Sequence, residues 1–60
     1  MEYIITNTTD HKYEGLLIKY SSEKFIVLNE NIVNIEKILK INEKEIRLIN
    51  SNYCIDLKEV

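Results

Sequence analysis

The stretch EIRLINSNYCIDLK, residues 45–58, decides the fold, because its side chains alternate in character on both sides of a short polar break. Before the break, isoleucine and leucine alternate with charged residues, and after it Tyr53, Ile55 and Leu57 alternate with polar ones. A period of two is typical of a strand with one buried face, and Asn and Ser favour turns. The sequence therefore predicts a β-hairpin that turns at residues 50–52.

Further polar clusters, at residues 6–10, 21–23, 29–31 and 42–44, divide the rest of the chain at short intervals. Evenly spaced turns between short apolar segments are typical of a small barrel or meander. The sequence predicts one all-β domain over residues 1–60, a small antiparallel SH3-like barrel or meander of five to six strands. The predicted strands are residues 2–6, 12–20, 24–29, 33–41, 45–50 and 53–58.

The apolar composition also favours strands, since the chain has eleven Ile and four Tyr but no Ala or Pro. Branched and aromatic side chains pack well on a pleated surface, and Ala is the best helix former. The alternative is an α+β fold with a helix near residues 30–41, where Ile32, Ile35 and Ile38 fall near helical spacing. Gly15, the single glycine, is predicted to bend strand 12–20. The apolar residues of 13–20 and 24–29 lie on both parities, which predicts strands buried on both faces or bent across a barrel.

Charge and cysteine content exclude several classes of function. A net charge of −2 and a pI near 5.3 do not suit strong non-specific binding to phosphates. Cys54 is the single cysteine, so an internal disulfide is impossible and a reducing, cytoplasmic location is predicted. The first residues lack the pattern of a signal peptide, and no apolar run is long enough to span a membrane.

Catalytic and metal-binding patterns are weak in this sequence. His11 and Cys54 are the only candidates for a thiol–imidazole pair, and no glycine turn precedes the cysteine. Asp10, His11 and Glu14 offer oxygen and nitrogen ligands, but no second His or Cys stands at ligand spacing. Phosphate-binding loops need several glycines. The sequence predicts neither an enzyme nor a metal site, with no cofactor and no small-molecule substrate.

Lysines stand directly before aromatic residues at three places, and this pairing is the strongest candidate for a binding surface. Aromatic rings stack on bases while lysines follow the phosphate backbone. The same residues also suit a plain structural role, with the rings in the core and the lysines at strand edges. The candidate nucleic-acid or partner-binding residues are Lys12, Tyr13, Lys19, Tyr20, Lys24 and Phe25.

The spacing of residues 13–28 resembles the first conserved motif of the Sm-like family. That motif has an apolar residue, a glycine, a leucine, an aromatic residue at a turn and a second apolar strand. Ser21 stands where the family usually has Asp, and its second motif is absent from residues 29–60. The resemblance implies a bent SH3-like barrel that assembles into rings and binds single-stranded RNA. The matching residues are Tyr13, Gly15, Leu17, Tyr20, Ile26 and Leu28.

These observations predict a non-enzymatic module that binds a protein partner or assembles with itself into a homo-oligomer. Small barrels of this size generally act through an edge strand or one face. The alternative is a barrel that binds single-stranded RNA or DNA. The excess of Ile, Asn and Lys is typical of AT-rich coding sequences, which suggests a phage or mobile element.

Overall fold

The computed structural model, which describes residues 1–9, 11–51 and 53–60, is built mostly of strands. Seven strands and one short 3₁₀ helix follow each other along the chain. They are β1 (Glu2–Thr8), the 3₁₀ helix (His11–Tyr13), β2 (Leu17–Lys19), β3 (Phe25–Leu28), β4 (Asn31–Asn34), β5 (Lys37–Lys40), β6 (Glu45–Asn50) and β7 (Tyr53–Glu59). The all-β class is therefore confirmed.

The strands form two antiparallel sheets. Five strands pair in the order β2-β1-β7-β6-β5, and β3 pairs with β4 in a separate hairpin. Within the described residues no strand pairing joins the two sheets, so the barrel is not closed and its SH3-like character stays a prediction. Eight apolar side chains from both sheets fill the space between them: Ile5, Ile18, Tyr20, Ile26, Leu28, Leu48, Ile55 and Leu57.

The β6–β7 hairpin forms as predicted. Leu48 lies opposite Ile55, and Ile46 lies opposite Leu57, so the alternating apolar side chains share the core face. Residue 52 of the predicted turn lies outside the described residues. On the other face of this hairpin, the Arg47 guanidinium holds the Asp56 carboxylate through Nε–Oδ1 at 2.7 Å and Nη2–Oδ2 at 3.1 Å. Hydrogen bonding to Asp56 raises the pKa of Arg47 above its ordinary value.

The predicted strand over residues 12–20 is wrong in its first half. Residues 11–13 turn into a 3₁₀ helix, and the Leu16 amide donates to the Tyr13 carbonyl at 3.2 Å. Gly15 has a φ of +88°, a left-handed conformation that side chains rarely adopt, so the glycine ends this turn instead of bending a strand. Only residues 17–19 pair as a strand, with β1.

The predicted strand over residues 33–41 is split into β4 and β5, and the alternative helix near residues 30–41 is wrong. The break lies at Ile35 and Glu36. The Ile35 amide donates to the Lys24 carbonyl at 2.7 Å, beside the hairpin, while the next amide, of Glu36, donates to Ile49 at 2.9 Å in the large sheet. An extended chain here satisfies backbone groups of both sheets, which one helix cannot do.

Two of the predicted turns have clear physical causes. The Asn42 side-chain oxygen accepts hydrogen bonds from the amides of Lys44 and Glu45, both at 2.9 Å, which fixes the turn between β5 and β6. Asn29 and Glu30 both have positive φ, 49° and 73°, as a tight two-residue hairpin turn requires. The cluster at residues 6–10 is different, because residues 6–8 belong to β1 and Asp10 lies outside the described residues.

Candidate functional site

An open seam separates β2 from β3, and we define it by the two strand edges that face each other there. β2 pairs only with β1, and β3 pairs only with β4, among the residues that the structure describes. The facing edges therefore lack ladder hydrogen bonds. A groove of about 410 Å³ follows the seam, and its lining includes Leu16, Lys19 and Phe25. An unpaired strand edge is a template for an added strand.

Large apolar side chains lie exposed around this seam. Along β3, Ile26 and Leu28 point into the core with 4% and 2% of their surface exposed, whereas Phe25 and Val27 point outwards with 43% and 52%. The register places Ile32 of β4 directly opposite Val27, on the same outer face. Leu17, Phe25, Val27 and Ile32 form what we call the outer apolar patch. β3 is therefore buried on one face only, which corrects the expectation of two buried faces.

A second opening lies between the β3–β4 hairpin and the ends of β1 and β7. This cavity has a volume of about 810 Å³, with Leu28 and Ile55 among its apolar lining and Tyr13, Tyr53 and Thr9 among its polar lining. Burial raises the pKa of the Tyr53 phenol above its ordinary value, and the nearby Tyr13 raises it further. The cavity wall thus combines aliphatic groups with phenol hydroxyls that donate or accept hydrogen bonds.

The structure distributes the six candidate binding residues over three openings and the core. Lys12 and Tyr13 lie at the cavity, with the Lys12 ammonium 5.2 Å from the centroid of the Tyr13 ring. Lys19 and Phe25 line the seam groove, and Lys24 lies at a smaller groove beside the start of β5. The six residues therefore do not line a single groove.

Tyr20 is the candidate that lies in the core. Only 6% of its surface is exposed, and its ring meets Tyr3 edge-on at 6.2 Å between centroids. Its hydroxyl donates a 2.9 Å hydrogen bond to the Glu23 carbonyl. Burial raises the pKa of this phenol, and Tyr3 and Glu23 add to the rise. The ring has no free face on which a base could stack.

His11 and Cys54 do not meet on one face. Tyr53 and Ile55 point into the cavity that His11 lines, so the intervening Cys54 points to the opposite side of β7. There it lies across from Ile49, half-buried and with a free thiol. His11 Nδ1 contacts the Glu14 carboxylate. In the described part of the chain no three acidic, histidine or cysteine residues cluster as metal ligands, and Asp10 lies outside it.

Sequence reasoning found Phe25 but missed the other three members of the outer apolar patch, Leu17, Val27 and Ile32. The Asn29-Glu30 turn held the signal for two of them. A two-residue turn fixes the register of a hairpin, so Leu28 pairs with Asn31 and Val27 with Ile32. Since Ile26 and Leu28 share one parity, the Val27–Ile32 pair had to lie on the other face.

No protein-family model matches the chain, and neither a curated protein nor a solved structure is significantly similar to it. The Sm-like resemblance of residues 13–28 therefore stays a prediction. Among the described residues, no helix has the length and apolar character needed to cross a membrane.

Proposed function

We propose that this protein is a non-enzymatic interaction module that binds a protein partner at the open seam between β2 and β3. The observation that carries the proposal is the outer apolar patch beside two unpaired strand edges. Single exposed apolar side chains are ordinary, but several grouped around one groove are typical of an interaction surface. Of the patch residues that line the seam groove, Leu17 is 57% exposed and Val27 is 52% exposed, and Ile32 lies beside Val27 at the neighbouring cavity.

Strand addition is the mode of binding that these features support. An extended segment of the partner supplies main-chain hydrogen bonds to the open edge, and alternate side chains of that segment contact the groove. On β3 the outward side chains are Phe25 and Val27, which provide aromatic and β-branched contacts for a neighbouring strand. The proposal places the module in the cytoplasm, where the free Cys54 stays reduced.

A module that binds single-stranded nucleic acid is the second candidate, and the Lys12–Tyr13 pair favours it. A cation above an aromatic ring at the mouth of a cavity offers both charge and a stacking surface. Its test is the binding of labelled oligonucleotides at rising salt. This candidate requires an affinity that falls with salt and drops in Lys12→Gln; a response that is flat to both contradicts it.

The experiment for the main proposal is a pull-down from the lysate of the native host with three tagged proteins. They are the wild-type chain, Val27→Lys at the seam, and Ile41→Lys as a control that changes a residue of similar exposure, 46% against 52%, outside the groove lining. We expect a protein partner that survives nuclease treatment, is lost with Val27→Lys and is kept with Ile41→Lys. Loss on nuclease treatment favours the second candidate, and retention by Val27→Lys refutes binding at the seam. Circular dichroism of each variant tests whether the variant is folded.

A further inference from the structure

The open strand edges differ in charge, and this difference identifies the edge that is free to pair with another strand. The edge strand β5 begins and ends with lysine, at residues 37 and 40, and β2 ends with Lys19. The open edge of β4 is partly occupied, because the side-chain Nδ2 of Asn50 donates to the Asn34 carbonyl at 2.7 Å. β3, residues Phe25–Leu28, carries no charged residue. Lysines protect an edge from further pairing, so β3 is the unprotected edge.

We infer that the partner at the seam is a second copy of this chain, with the β3 strands of the two copies paired antiparallel. The inference rests on the proposed function and names the partner of the same surface. Self-pairing of β5 would bring the lysines of both copies together, whereas self-pairing of β3 brings together neutral side chains only. The two hairpins then form one four-stranded sheet in the order β4-β3-β3-β4.

The two-fold symmetry of such a pair limits its register. Residues opposite each other must lie on the same face, so a two-fold axis passes either Ile26 or Val27. With the axis at Ile26, Phe25 of each copy lies opposite Val27 of the other, which joins the outer apolar patches. With the axis at Val27, Phe25 would face Asn29, whose φ of 49° ends the strand. The register centred on Ile26 is therefore selected.

Charge at the ends of the paired strands agrees with this register. Lys24, immediately before β3, comes opposite Leu28 of the second copy, and Glu30 of that copy follows two positions later. Glu30 belongs to the turn between β3 and β4, so Lys24 of each copy lies towards a turn of the other copy that carries the opposite charge. The two-fold axis creates this juxtaposition twice.

The first test is the mass in solution, measured by size-exclusion chromatography with light scattering over a series of concentrations. We expect the wild-type chain to move from 7.1 kDa to twice that mass as concentration rises. Val27→Lys should stay monomeric, because it places a lysine opposite Phe25 of the other copy on each side of the Ile26 axis, while Ile41→Lys should dimerise like the wild type. A wild-type monomer at all concentrations overturns the inference. If the wild-type chain stays monomeric but captures a different protein that Val27→Lys fails to capture, the proposed function survives although the self-pairing does not.

The second test fixes the register by disulfide cross-linking in a Cys54→Ser background. Opposite residues in an antiparallel pair have Cα atoms about 4.5–5.5 Å apart, within disulfide reach, whereas two copies of residue 25 would be roughly 8 Å apart. We expect Phe25→Cys and Val27→Cys chains to cross-link when mixed under oxidising conditions, and neither to cross-link alone. Cross-linking of Val27→Cys alone overturns the Ile26-centred pairing, and so does a mixture that yields no cross-link.

Discussion

Truncation of neighbouring residues on β3 should give very different losses of stability. Ile26→Ala removes three carbons from a side chain that is 4% exposed, whereas Val27→Ala removes two from one that is 52% exposed. Each buried carbon contributes about 0.8 kcal/mol to the free energy of unfolding, and the cavity left behind adds to the loss, so Ile26→Ala should cost about 3–4 kcal/mol. Because about half of the Val27 side chain is exposed, its two carbons should contribute half as much each, and Val27→Ala should cost about 0.8 kcal/mol. A 60-residue chain has a total stability of only about 3–9 kcal/mol, so Ile26→Ala brings it close to unfolding.

Urea unfolding, followed by far-ultraviolet circular dichroism, measures both losses. The protein must be dilute, since association of folded chains would add to the apparent stability. The slope of the free energy against urea should match among the variants. An equal cost for the two substitutions would refute the reasoning, because it would mean that Val27 is buried and that the seam is closed in solution.

Three further predictions concern the turn, the tyrosines and the ion pair. Glu30→Gly should raise the free energy of unfolding by roughly 1 kcal/mol, since glycine adopts a φ of 73° without strain; an unchanged thermal midpoint would contradict this. Because the folded chain raises the pKa of Tyr20 and Tyr53, stability should hold to about pH 10 and fall above it, where the unfolded phenols ionise first. Replacing both by Phe should flatten that decline, and an equal slope in urea titrations at rising pH would count against it. Arg47→Met should destabilise the chain by leaving the largely buried Asp56 carboxylate unpaired, and adding Asp56→Asn should recover part of the loss; a double-mutant cycle without coupling would disprove the pairing.

The part of the fold that the sequence predicts best is the β6–β7 hairpin. Ile46 and Leu48 alternate with charged residues, and Ile55 and Leu57 enclose Asp56, so the parity of the large apolar residues predicts which face is buried. The strand over residues 12–20 fails for a local reason. Its apolar residues favour a strand, but the positive φ at Gly15 ends a 3₁₀ turn, and a strand pattern does not reveal such backbone geometry.

The candidate site was harder to predict, because it depends on which strands do not pair. The run from Phe25 to Leu28 is apolar at every position, so the alternation that separates an inner from an outer face is missing. Lys24 and Tyr20 were predicted to belong to one binding surface. In the structure Lys24 lines a groove beside β5, and Tyr20 is buried in the core. Sequence periodicity reports the environment of each strand and not the gap between two of them.

The position of β7 has a consequence for how the protein is made. This strand lies in the middle of the large sheet, between β1 and β6, although it comes last in the order of synthesis. β1 therefore pairs with residues 55–59, about fifty positions further along the chain. Pairing of such distant segments is slow, so a folding chain passes through a period in which β1 and β6 each keep an open edge. A chain cut between β6 and β7 would keep both edges open, and we expect it to aggregate instead of folding.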